Sequence, residues 1–231
     1  MSMDMCISGA GNIPSGDYEK VSVAGRGRLG ESVRCLSFSV AGASKGGAIV
    51  CKERFKVSGG AKFAGDIEAK NVRVTGSLSC GGDLIVEQEM ACFGSASCEK
   101  NVKCEKLTVS GTLSVGGDVE AESVETSGEL NCAGLLNAEK IKIKADKCMQ
   151  IGSIGGSKIT IGRKRFSLFS KRGVTVENAI EGDEITLEYV ICPRVTGRIV
   201  NIGKGCKIGH VQFSEKMETS HDAKVDKREK V

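Results

Sequence analysis

Tryptophan is absent from the 231 residues, and there are only 2 prolines, 2 histidines, 2 tyrosines and 7 phenylalanines. With so few aromatics, a core must be narrow and filled by small and medium aliphatics. With so little proline, the chain is not a Pro/Gly-rich disordered polymer. The two histidines, His210 and His221, stand apart and no CxxC pair occurs, so no zinc cluster is expected. No apolar run reaches 18 residues, which excludes a membrane-spanning helix by pattern. The opening Met1–Ile7 lacks a basic segment followed by a long apolar one, so no secretion leader is expected. Charge of one sign is also missing. The 33 Lys+Arg against 29 Asp+Glu leave +4, too balanced to mark a nucleic-acid binder by composition.

What is present is glycine, valine, isoleucine and cysteine. The 31 glycines are about twice the usual share. Val and Ile together number 39 against 11 Leu, a β-branched excess that favours strands. The 11 cysteines are odd in number in a chain with no secretory features, which fits a reduced, cytoplasmic setting.

An internal repeat sets the architecture. Short motifs ending in glycine recur, with Gly25, Gly42, Gly59 and Gly76 spaced 17 apart, Gly94 after 18, then Gly111 and Gly128 at 17 again. One residue is inserted near Gln88–Glu89. Counting from each repeat glycine, apolar residues fall at +2/+4, +8/+10 and +13/+15, shifted by one in the last pair across the insertion. Seven coils times six positions is 42, and 37 of these are apolar; Gly27, Ser44, Gly46, Lys52 and Thr126 are the exceptions. Alternation of period two is a strand with one buried face. Three such strands per 17 residues make one turn of a three-faced coil, and each strand lies over its copy in the next. The expected fold is therefore all-β, a single-stranded parallel β-helix of about 17 residues per coil, with right-handed winding favoured by the crossover rule. Glycine at the corners is expected to supply positive φ. Cys80, Cys98 and Cys132 fall in one inward column, Cys35 and Cys104 in another, and Cys92 in a third, so they read as core filler.

The chain then divides as follows. Residues 1–20 form an N-terminal cap coil and 21–162 the main β-helix. Residues 163–173 form an exposed basic-aromatic loop, 174–213 the C-terminal coils, and 214–231 a flexible polar tail. Val174, Ile191 and Ile208, and Ile185 and Ile202, are 17 apart and suggest continued stacking. In the loop, Arg163, Lys164, Arg165, Lys171 and Arg172 bracket Phe166, Leu168 and Phe169, a pattern suited to an anionic membrane surface or another partner. A β-helix has two open ends. Ile7 and Ile13 at one end, and Ile208, Val211 and Phe213 at the other, are the candidate assembly surface.

These pieces resemble the bactofilin family of bacterial cytoskeletal proteins, in a longer form like that of Gram-positive bacteria. The resemblance rests on the glycine-punctuated coils and on the Gly-Asp-apolar corners Gly65–Ile67, Gly82–Leu84 and Gly117–Val119. It extends to the stretches Ser8–Tyr18, Ile180–Glu188 and Asn201–Gly209. It implies a right-handed β-helix that self-assembles end to end into nonpolar filaments without nucleotide. It further implies a non-enzymatic structural protein with no cofactor or metal, cytoplasmic or peripheral to the inner face of the cell membrane, whose main partner is itself. The inner membrane surface and other cytoskeletal or cell-envelope proteins are the further candidate partners, and no nucleic acid is expected. Two other readings compete. A hexapeptide-type acyltransferase would use His210, for which the sequence identifies no positioned partner. A surface adhesin would display a flat solenoid face. The repeated Asp66, Asp83 and Asp118 read as turn chemistry, not as a catalytic ladder.

Overall fold

The computed structural model describes residues 3–163 and 173–231. Among these every regular element is a β-strand, and the strands pair in parallel and stack as a solenoid of about 13 turns, roughly 17 residues per turn. The expected three pairs of inward residues per turn are present. In the coil after Gly59 they are Ala61 and Phe63, Ile67 and Ala69, then Val72 and Val74, all buried. The chain divides into two compact units, Met1–Gly116 and Gly117–Val231.

In the first unit the coils register as the repeat requires. Leu78 stands over Ala61 and under Ala96, while Cys80 stands between Phe63 and Cys98. The inserted residue falls where the spacing placed it. Leu84 pairs with Ile67 at a step of 17, whereas Met90 pairs with Val72 at 18. One coil departs from the expected register. Counting from Gly42 puts Val50 and Lys52 inward, but Ile49 and Cys51 are the buried pair and Lys52 is exposed. The preceding corner is one residue shorter, and a bulge between Cys51 and Arg54 restores the count before Phe55. A buried lysine has no partner here, and a slip of one residue turns every side chain to the other face. The same unit offsets its small inward residues with aromatic bulk. Gly46 stands in register with Phe63, and Phe63 packs edge-on to Phe38 and Phe55, which stack at 5.1 Å.

The repeat glycines serve a purpose other than the expected one. Among the described residues the glycines with positive φ are Gly16 and Gly205, and none belongs to the repeat. The repeat glycines are required by close approach between coils. A Cβ on Gly42 would lie 2.0 Å from the Gly25 carbonyl oxygen, and one on Gly59 would meet Gly42 in the same way.

The second unit keeps the parallel stacking but not a constant step: Ile141 pairs with Ile159 at a step of 18, and several later coils are shorter. Val174 pairs with Val190 and Cys192 with Ile208, steps of 16, and Ile185 pairs with Val200, a step of 15. The 17-residue spacing of Val174, Ile191 and Ile208 is therefore not a column. Ile191 points outward and is 49% exposed. Likewise Ile202 pairs with Leu187, not with Ile185.

Residues 214–231 are not a flexible tail. Strand Lys207–Thr219 continues through the boundary, and Lys224–Lys230 forms a further rung paired with Lys207–Phe213. The segment looks tail-like because a terminal rung has one face in water and needs few apolar residues. Val225 alone stands over an apolar partner with an apolar side chain, Ile208, while Arg228 stands over Val211.

Candidate assembly surfaces and the neighbouring side chains

The two ends are built differently. At the N-terminal end, strand Met3–Ile7 pairs with Gly16–Val23, and Ala10–Ile13 pairs with Arg26–Leu29. Among the described residues neither has a partner on its other side, so a row of backbone N–H and C=O groups faces outward. Ile7 and Ile13 are buried, at 8% and 1% exposure, and are core residues of this coil, not part of its outer surface. The exposed side chains of these two strands are those of Met3, Asp4, Cys6, Ala10 and Asn12.

At the C-terminal end, Ile208 and Val211 are buried beneath the rung Lys224–Lys230, and Phe213, half-buried, stands in register with Lys230. The structure thus takes Ile208, Val211 and Phe213 away from the terminal face and puts a strongly charged strand in their place. Charged residues on an edge strand oppose further pairing.

That rung also supplies His210 with a neighbour. His210 Nε2 lies 3.0 Å from Glu229 Oε2, and Glu229 accepts a hydrogen bond from Lys227 Nζ at 2.9 Å. The hydrogen bond and charge of Lys227 hold the Glu229 carboxyl below the usual carboxylate range. The carboxylate was missed from sequence because it lies 19 residues beyond the histidine, in a segment without apolar alternation.

Of the basic-aromatic loop, Lys164, Arg165, Phe166, Leu168, Phe169, Lys171 and Arg172 lie outside the described residues. Arg163 is described, and its guanidinium lies over the Tyr189 ring at 4.1 Å. Lys204 Nζ approaches the same ring at 6.0 Å. Tyr189 takes positive φ, 55°, and Gly205 beside it has φ 71°. A Cβ on Gly205 would run into the Tyr189 ring.

The corner aspartates act between coils. Asp66 Oδ1 accepts from the Asp83 backbone N–H at 2.8 Å, Asp83 Oδ1 from that of Asn101 at 3.1 Å, and Asp118 Oδ1 from that of Leu135 at 2.7 Å. Each carboxylate satisfies a corner N–H one turn ahead, a structural role that repeats with the coil. The following glycines make room for it, since a Cβ on Gly82 or Gly134 would fall on the Asp66 or Asp118 carboxylate.

Nine of the eleven cysteines are buried; Cys6 and Cys148 are exposed. The buried thiols also donate at the corners: Cys98 Sγ to the Gly82 carbonyl at 3.2 Å, Cys132 to Gly117 at 3.3 Å and Cys192 to Arg194 at 3.0 Å. Cys51, absent from the expected columns because of the register slip, pairs with Cys35 and Ala69. Donating a hydrogen bond to the neighbouring sulfur of Cys51 or Cys98, and then burial, pushes Cys35 and Cys80 far above the ordinary thiol range. Burial alone pushes Cys104 up to about 12. Such thiols are poor nucleophiles at neutral pH, since the thiolate is the reactive form. Among the described residues no three His, Cys, Asp or Glu side chains gather as a metal-ligand set, and no helix is long and apolar enough to cross a membrane.

No family model matches the chain, and no solved structure matches it. The chain is similar to YhbF of Bacillus subtilis (strain 168), an uncharacterized protein, with 35% identity over 100 residues. That similarity spans 42% of this chain and 42% of YhbF.

Proposed function

We propose that this protein is a structural element, of bactofilin type, that assembles with copies of itself through its end coils and without nucleotide. The observation that carries this reading is the N-terminal coil, whose two strands have an unpartnered edge among the described residues. An open edge is a template for another chain. Placing that edge against its own copy gives an isologous, closed contact, so N-terminal ends join in pairs. Growth beyond a pair must use the C-terminal rung. Lys224–Lys230 carries four cations and two anions, 4 − 2 = +2, and repels its own copy unless salt screens it. Filaments therefore lengthen as ionic strength rises.

A cytoplasmic setting is supported by eleven cysteines that form no disulfide. Peripheral attachment to the inner membrane through the basic-aromatic loop belongs to the same reading, and flotation of a variant lacking 164–171 with acidic vesicles tests it. The test of assembly itself is light scattering after size exclusion, with electron microscopy, at low and high ionic strength. Cys6→Arg and Ala10→Arg add charge at the N-terminal edge outside the core and should leave the protein monomeric at low salt. A parent that is monomeric at every concentration and salt would sink the proposal, as would variants that assemble like the parent.

A further inference from the structure

The first face of the Met1–Gly116 unit is charged unlike the rest of the molecule. On the other faces acidic residues are present and opposite signs meet at several ladder positions, although Lys56 and Arg73, and Lys140 and Lys158, also stand in register. Lys106 meets Glu89 at 3.0 Å, Lys142 meets Glu125 at 3.2 Å and Lys158 meets Glu184 at 2.9 Å. On this face Asn12, Arg28, Lys45 and Lys62 stand in register on four successive coils, with Arg26 two residues from Arg28. Adjacent strands lie ~4.8 Å apart, so the column brings three cations within about 10 Å. No acidic residue occupies any position of the seven strands of the face, at 10–13, 26–29, 43–46, 60–63, 77–80, 95–98 and 112–115. None of the four cations makes an ion pair among the described residues. Like charges facing each other on neighbouring strands destabilise a sheet, and here nothing from the chain relieves them.

The cations also border concave surface. A hollow of about 390 Å³ is lined by Gly11, Gly27, Ser44 and Asn12, with Arg26, Arg28 and Lys45 around it. A second hollow of about 310 Å³ is lined by the same Arg28 and Lys45 together with Lys62. Both are of small-ligand size. The guanidinium groups offer paired donors that match phosphate oxygens, and the ammonium groups add compact charge. Four positive charges in so small an area suit linked or clustered phosphates better than a single carboxylate. The outward side of the face carries no aromatic ring, so a nucleobase has no stacking platform.

We propose that this face is a binding site for a multiply charged phosphate ligand, held by Arg26, Arg28, Lys45 and Lys62. The recognised chemistry is the phosphate group, whether carried by a soluble polyphosphorylated molecule or presented by lipid headgroups.

The test uses the full chain. One arm titrates tripolyphosphate calorimetrically. The other floats the protein with vesicles of phosphatidylcholine alone or containing phosphatidylglycerol. Saturable binding in either arm is expected, weakened at least about tenfold in the double variant Arg28→Gln/Lys45→Gln, which loses two charged contacts. Lys142→Gln, whose cation is paired elsewhere, should bind as the parent does. The double variant retains residues 163–173, so loss of flotation in it separates this site from the loop. It should also melt no lower than the parent, because it removes repulsion and no contact. Tripolyphosphate binding identifies a soluble source, and binding to phosphatidylglycerol vesicles alone identifies a headgroup. No binding in either arm, equal binding to phosphatidylcholine, or an unaffected double variant overturns the proposal.

Discussion

Replacing Val57 by aspartate tests the solenoid interior at one point. Val57 is fully buried, and its registered neighbours on the adjoining coils are Val40 and Val74. No cation lies in that column, so an aspartate there must be neutral to stay inside. Holding a carboxyl of ordinary pKa protonated at pH 7 costs about 4 kcal/mol. Losing the buried valine adds about 1.5 kcal/mol, and the neutral carboxyl without a hydrogen bond adds about 1–2 kcal/mol. The sum, about 7 kcal/mol, rivals a typical domain stability of about 5–15 kcal/mol. A protein of this size should melt roughly 15–25 °C lower. Lys56→Asp, one residue away and outward, should melt within a few degrees of the parent. Thermal denaturation followed by circular dichroism measures both. The pH dependence gives a second reading. Burial raises the folded-state pKa of the introduced carboxyl, so the folded state binds the extra proton. The penalty is therefore full at pH 7 and shrinks as pH falls toward about 4. Val57→Asn carries no such term, so the gap between the two variants should close over that window. A Val57→Asp protein that melts like Lys56→Asp, or a gap that stays constant with pH, would refute the inward register.

Two further outcomes follow from the interior. Thr126 is fully buried with its hydroxyl unpartnered and stands in register with Ile143; Thr126→Val should raise stability by about 1 kcal/mol in urea unfolding, and a loss would mean that the hydroxyl is bonded. Burial pushes the Cys92, Cys132 and Cys192 thiols up to about 11. Their folded pKa values are raised, so the stability they hold is full below the unfolded value near 9 and is lost as pH rises toward 11. Alkaline titration should show that decline, with Ellman's reagent labelling Cys6 and Cys148 in the native protein and the buried thiols only as it unfolds. Full labelling at pH 8 without unfolding would refute it.

The coil was legible in the sequence because its signal is both local and repeated. Alternation along a strand specifies which side chains turn inward, and a constant step stacks equal positions, so the columns of Cys80 and Cys98 and of Cys92, Val74 and Val109 could be read directly. The step is a sound guide only while corner lengths stay constant. Where the corner at Gly46–Ala48 loses a residue, or where the coils between Val174 and Ile208 shorten to 15 or 16, the same arithmetic turned Lys52 and Ile191 inward when both face water. The terminal rung was invisible for a related reason: an end coil has little core to fill, so Lys224–Lys230 carries no apolar period although its backbone is fully engaged on one side. Other features depend on which atoms meet across coils. These are the aspartate caps on the next turn, the glycines fitted against carbonyl oxygens, the approach of Glu229 to His210, and the unrelieved column of Arg28, Lys45 and Lys62. The sequence by itself determined the repeat, the buried alternation and hence the solenoid. Only the tertiary structure decided the register at each corner and the chemistry of the surface, because one residue gained or lost at a bend moves every side chain after it to the opposite face.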